Sequence, residues 1–194
     1  MKKIVLSLIV SAFILFANAQ VQPAGLKVND KAPEFSAKDQ NGKLISLKEE
    51  VKKGNVVLIF YRGQWCPFCN KQLKHIEDSL SFITSKGASV FAITPEQPEN
   101  VSKTIEKTKA TYSILSDDGL KIMKAYDVAY AVDEATIEKY KGYGIDFSKA
   151  NGNNGASLPV PAVYIIDKKG NIIYRHFDKD YTKRASVQEI VDHL

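Results

Sequence analysis

The sequence predicts an α/β fold: a mixed central sheet flanked by helices, with an N-terminal hairpin and an inserted segment at 127–158. Three observations carry this. Residues 56–61, Val-Val-Leu-Ile-Phe-Tyr, form an unbroken run of branched and aromatic residues, which suits a strand buried on both faces. A helical pattern and a second apolar strand follow it, completing a βαβ unit with parallel strands and a right-handed crossover. Finally, residues 161–166 and 171–176 are two strands joined across Asp167-Lys168-Lys169-Gly170, a turn short enough to make them antiparallel.

The elements follow in order. Residues 21–30 read as an exposed lead-in, and 35–47 as a hairpin turned at Asp39-Gln40-Asn41-Gly42. After the central strand, Leu73, Ile76, Leu80 and Ile83 recur at spacings of three and four, so one helix with a buried stripe is expected over 66–86, ended by Gly87. Residues 88–93 are the next strand. A helix is expected at 98–110, a short strand at 112–115, a third helix at 118–126 and a closing helix at 186–194. The segment 127–158 fits none of these. Residues 131–141 have helical character, whereas Gly142, Gly144 and Asn151-Gly152-Asn153-Asn154-Gly155 are expected to hold no regular structure. Inserts of this length are usually functional or mobile.

The chain begins with Lys2 and Lys3, an apolar run over 4–16, and Ala17-Asn18-Ala19. That is the pattern of a secretory signal cleaved after residue 19, because about 13 apolar residues fall short of the roughly 20 that cross a bilayer. The expectation is a single domain at 20–194, exported to a periplasm or secreted, with no stable membrane association. Setting Lys2 and Lys3 aside, 25 basic against 22 acidic residues leave a net charge of +3. The lysines are scattered, and Lys103, Lys107 and Lys109 read as a solvated helix face. Nucleic-acid binding, which needs basic residues gathered beside stacking aromatics, is not expected.

Two cysteines are present, in Cys66-Pro67-Phe68-Cys69. A disulfide closing so short a loop adds little stability, so the pair reads as chemical rather than structural. Cys66 falls at the start of a helix, where free backbone N–H groups and the positive end of the macrodipole favour the thiolate, which is the nucleophile. Cys69 lies on the same helical face, and Pro67 suits the first turn. Arg62 could add positive charge beside a thiolate or stand as a surface charge at the strand end. Tyr61, Trp65 and Phe68 could line a substrate slot or pack in the core. No metal is expected: His75, His176 and His193 are far apart, and Asn70 stands where a c-type haem would need histidine. No cofactor is expected either. The reading requires sulfurs that solvent can reach.

Leu158-Pro159-Val160-Pro161-Ala162-Val163 supplies the far partner. With the Cys-x-x-Cys helix start it resembles the thioredoxin-like fold, in which a cis-proline before an antiparallel strand packs against the cysteines. The resemblance implies a cis Val160–Pro161 bond and a Val160 backbone that holds substrate in extended pairing. A closer resemblance is to the peroxiredoxin-like branch of the alkyl hydroperoxide reductase and thiol-specific antioxidant family. It is carried by Ala32-Pro33-Glu34-Phe35 and by Phe60-Tyr61-Arg62-Gly63-Gln64-Trp65-Cys66-Pro67-Phe68-Cys69. It implies that Cys66 attacks a peroxide O–O bond and becomes a sulfenic acid, and that Cys69 condenses with it; Arg62 and Trp65, read from the residues, and Val160 and Pro161, from the thioredoxin-like resemblance, are the candidate substrate-positioning residues. Typical members carry Thr three and Pro seven residues before the peroxidatic cysteine; here Gly63 and Ile59 occupy those positions.

Three functions are thus expected in order of preference. The first is an antioxidant thiol peroxidase, reducing hydroperoxides and recycled by a thioredoxin-like dithiol reductant. The second is a thiol–disulfide reductase acting on protein disulfides. The third, of another class, is a non-enzymatic binding module that uses 127–158 for recognition.

Overall fold

In the computed structural model, which describes residues 22–194, the chain begins with a hairpin of β1 (Ser36–Lys38) and β2 (Leu44–Ser46), followed by α1 (Leu47–Lys53). The signal segment expected at 1–19 lies outside the described residues. Next come β3 (Val56–Phe60), α2 (Pro67–Asp78), α3 (Leu80–Ser85), β4 (Ser89–Thr94), α4 (Pro98–Thr108), β5 (Ser113–Ser116) and α5 (Lys121–Ala125). The insert holds β6 (Ala129–Ala131), α6 (Glu134–Gly142), α7 (Phe147–Asn151) and β7 (Ser157–Pro159). The chain closes with β8 (Ala162–Ile166), β9 (Ile172–Phe177) and α8 (Val187–Asp192).

The main sheet has the order β5-β4-β3-β8-β9, with β3 at its centre as expected. β3 pairs parallel with β4 and antiparallel with β8, and the β8–β9 pair is antiparallel. Because strand side chains alternate, β3 feeds two cores. Val57 and Ile59 meet Leu73, Ile76, Ile83, Val101 and Ile190 on one face, under α2, α3, α4 and α8. Val56, Leu58 and Phe60 meet Val51, Ile122 and Met123 on the other, under α1 and α5. Every residue of β3 is fully buried, which is why its sequence shows no polar alternation.

Four expectations are corrected. The single helix over 66–86 is two, broken at Ser79 (φ −116°, ψ 10°), whose N–H turns back to Ile76 O. Aspartate and serine are weak helix formers, so a break falls readily at Asp78-Ser79. The helix expected at 118–126 is a 3-10 turn at Asp118–Leu120 and then α5. The buried Asp117 carboxylate restarts it by accepting the N–H groups of Ile122 (3.0 Å) and Met123 (2.8 Å). Within the lead-in, Pro23 and Gly25 are buried. A side chain at Gly25 would stand 2.6 Å from Phe177 Cδ2 and 2.7 Å from Tyr164 Oη.

The asparagine–glycine run is ordered by its own amides. Asn151, fully buried, donates to Gly155 O (2.9 Å) and Ser157 O (3.1 Å), and Asn154 donates to Pro95 O (2.7 Å) and Asp117 O (3.0 Å). The insert therefore has regular structure, closed by the antiparallel β6–β7 pair, and its own small core of Val132, Phe147 and Leu158. No helix of the described residues is long and apolar enough to cross a membrane.

Candidate active site

The cysteine turn leaves the end of β3 and enters α2. Cys66 caps the helix, its Sγ accepting the N–H of Cys69 at 3.3 Å, and Pro67 takes the first helical position, where a missing N–H costs nothing. Cys66 and Cys69 are joined in a disulfide with Cα atoms 5.2 Å apart. With this bond formed the sulfurs are shut in: Cys66 is 1% exposed and Cys69 0%. That differs from the open site required above, because side chains distant in sequence close over the turn.

Chief among these is Arg184, from the segment between β9 and α8. Its Nη2 lies 3.5 Å from Cys69 Sγ and 3.9 Å from Cys66 Sγ. Burial, and the nearby Arg62 charge, pull its pKa down to about 10, so it remains a cation at neutral pH. A guanidinium held against the sulfurs stabilises a thiolate there and adds to the field of the helix start.

Arg62 is not the surface charge weighed above. It is 3% exposed, donates to Tyr140 Oη, and stacks over Trp65 (5.2 Å), Tyr140 (5.4 Å) and Tyr181 (4.4 Å). Trp65 in turn meets Tyr140 and Phe147 edge-on at centroid distances of 5.3 and 5.9 Å. The insert is thereby packed against the cysteine turn, and Tyr140 is a site-facing residue that sequence reasoning missed. Phe68, between the cysteines, stays exposed beside Tyr181.

Beneath the turn lies Glu96, 1% exposed, just beyond β4. Its Oε2 accepts the Gln64 N–H at 2.8 Å, and its Oε1 has no hydrogen-bond partner. Burial pushes its pKa up to about 8, against the opposing pull of the Gln64 N–H and of Lys107 and Lys103. A side chain at Gly63 would meet Trp65 Nε1 at 2.6 Å and Glu96 Oε1 at 2.7 Å, so only glycine fits there. Lys107 is exposed on α4, as expected, and its Nζ donates to Gln64 O (2.9 Å) and Oε1 (2.5 Å), tying α4 to the turn.

Val160 and Pro161 are buried at the entry to β8. No peptide bond among the described residues is cis, so Val160–Pro161 is trans, which corrects the expectation. The trans form is the intrinsically favoured one, and it carries the chain from β7 into β8. The Val160 N–H donates to Val128 O at 2.8 Å, so it is not free to pair with a substrate backbone. No group of three or more His, Cys, Asp or Glu side chains among the described residues is placed to hold a metal ion. His75 is exposed on α2.

Residues 28–175 match the model of the AhpC/TSA family. The chain is 36% identical over 96 residues to the chloroplastic peroxiredoxin Q of Gentiana triflora, covering 50% of this chain and 44% of that one. With the chloroplastic peroxiredoxin Q of Arabidopsis thaliana it shares 32% identity over 170 residues, 87% of this chain and 68% of that one. Peroxidoxin BcpB from Mycobacterium tuberculosis superposes with a TM-score of 0.67 at 18% identity, over 87% of this chain and 96% of that one. The gentian alignment thus spans less than half of that relative.

Proposed function

The chain belongs to the AhpC/TSA family, and on that premise we propose that it is a thiol-dependent peroxidase working through Cys66 and Cys69. The observation that carries the reading is the Cys66–Cys69 disulfide at the start of α2, with the Arg184 guanidinium across both sulfurs. In the reduced protein the Cys66 thiolate attacks one peroxide oxygen, the O–O bond breaks, and the other oxygen leaves with a proton as water or alcohol. Cys66 becomes a sulfenic acid. The Cys69 thiol displaces its hydroxyl, releasing water and forming the disulfide. An external dithiol of thioredoxin type returns both sulfurs to thiols.

The test is consumption of hydrogen peroxide by the purified protein with a thioredoxin system. A rate no faster than that of an ordinary free thiol refutes the assignment. A second reading, reduction of protein disulfides, is favoured by the adjacency of the two cysteines on one helix start. It gains if Cys69→Ser traps mixed disulfides with other proteins. Export to a periplasm or the exterior, with residues 20–194 as one mature domain, is part of the same proposal. It rests on Lys2, Lys3, the apolar run 4–16 and Ala17-Asn18-Ala19. N-terminal sequencing of the protein recovered from cells tests it, with Gln20 as the expected first residue.

A further inference from the structure

We propose that Glu96 and Trp65 form a proton-controlled latch at the cysteine turn: when the Glu96 carboxyl gives up its proton, its Oε1 accepts the Trp65 indole N–H and ties the ring to the end of β4. The latch belongs to the turn itself and does not depend on the reaction assigned to the cysteines.

Trp65 Nε1 and Glu96 Oε1 are buried, have no hydrogen-bond partner among the described residues, and face the same gap. The gap is the place a side chain at position 63 would fill. A Cβ on Gly63 would stand 2.6 Å from Trp65 Nε1 and 2.7 Å from Glu96 Oε1, so the two atoms are no further apart than those distances together. Threonine, which typical members of the family carry at this position, would occupy the gap; Gly63 leaves it open.

Proton placement explains why such close neighbours are unpaired. Glu96 Oε2 accepts the Gln64 N–H at 2.8 Å, so in the neutral acid the hydrogen resides on Oε1. An O–H donor then faces an N–H donor, and no bond forms between them. Burial keeps that proton in place up to about pH 8. Ionisation turns Oε1 into an acceptor, and one charge-assisted hydrogen bond satisfies both atoms.

The surroundings leave Glu96 as the group that titrates. Lys107 and Lys103 on α4 pull its pKa down, and the turn offers it the Gln64 N–H. The Tyr61 phenol at the end of β3 is fully buried, with its own pKa raised by burial and by Glu96, so it stays neutral. Arg62, 5.2 Å from the Trp65 ring centroid, is a cation throughout. With Cys66 and Cys69 joined, neither sulfur titrates. Trp65 is half-buried, directly precedes Cys66, and packs on Tyr140 and Phe147 of the insert. Closing the latch moves the ring these side chains rest on, so the proton on Glu96 sets how the insert seats on the cysteine turn.

Trp65 is the one tryptophan, so the oxidised full chain gives a single indole N–H signal in nitrogen-edited NMR. As pH is raised through the range where Glu96 ionises, that signal should move downfield in one step with its midpoint near 8. Glu96→Gln keeps an oxygen for the Gln64 N–H and turns its amide N–H toward the gap, so its signal should stay at the low-pH position throughout. Lys107→Gln, at an exposed position, removes a charge that draws the Glu96 pKa down and should move the midpoint to higher pH. The ring signals of Tyr140 and Phe147 should follow the indole with the same midpoint. An indole signal that does not move, one that moves alike in the wild type and Glu96→Gln, or a midpoint left in place by Lys107→Gln overturns the latch. Ring signals of Tyr140 and Phe147 that stay fixed while the indole moves overturn its link to the insert.

Discussion

Replacing Glu96 by Gln should flatten the dependence of stability on pH between about 5 and 8. Glu96 is 1% exposed, and burial raises its pKa from 4.5 to about 8 although the Gln64 N–H, Lys107 and Lys103 all pull the other way. Below 4.5 the folded and unfolded chains both hold the proton, and the protonated buried acid leaves stability at its full value. Between 4.5 and about 8 the unfolded chain releases the proton while the folded chain keeps it, so stability falls as pH rises, by about 1.4 kcal/mol per unit. From pH 5 to pH 8 the loss amounts to about 4 kcal/mol. Glutamine keeps an oxygen for the Gln64 N–H and never ionises. Urea unfolding of the oxidised protein at intervals across this range measures the difference. The two proteins should be of similar stability near pH 5, and the variant should be ahead by about 4 kcal/mol near pH 8. Asp117, also raised by burial, adds a slope of the same sign, but it is common to both proteins and cancels. Parallel stability curves, within about 1 kcal/mol over the range, would refute the assignment of a buried neutral acid beneath the turn.

The remaining predictions concern the turn and its cover. Cys66→Ser should abolish peroxide turnover, whereas Cys69→Ser should accumulate a sulfenic acid on Cys66 that a dimedone-type probe labels; labelling on neither variant counts against the roles given. Tyr140→Phe deprives the buried Arg62 Nη2 of its acceptor and should cost about 1–3 kcal/mol in chemical denaturation, with a change in Trp65 emission. Gly63→Ala forces a methyl group to within 2.6 Å of Trp65 Nε1 and 2.7 Å of Glu96 Oε1. It should lower stability by about 1–3 kcal/mol, seen as a drop in Tm, and wild-type stability would show that the turn relaxes freely.

Sequence alone determined the parts of this protein that depend on neighbours along the chain. The apolar run of β3, the 39–42 turn of the hairpin, the β8–β9 pair and the placing of Cys66 and Cys69 at the start of α2 were all legible. Each follows from local hydrogen-bond demand and the period of burial. Local rules also misled where a buried carboxylate takes backbone N–H groups, as at Asp117, where weak helix formers break a periodic stripe, as at Ser79, and where asparagine amides build structure from a run that looks like loop. Only the tertiary structure decided that Arg184 lies against sulfurs 115 and 118 residues away, that Tyr140 meets Arg62 at a separation of 78, and that Glu96 is buried under Gly63 and Gln64. A lone arginine or glutamate carries no period and no spacing. Its partner is set by the path of the whole chain, and its chemistry by how much water that path leaves around it.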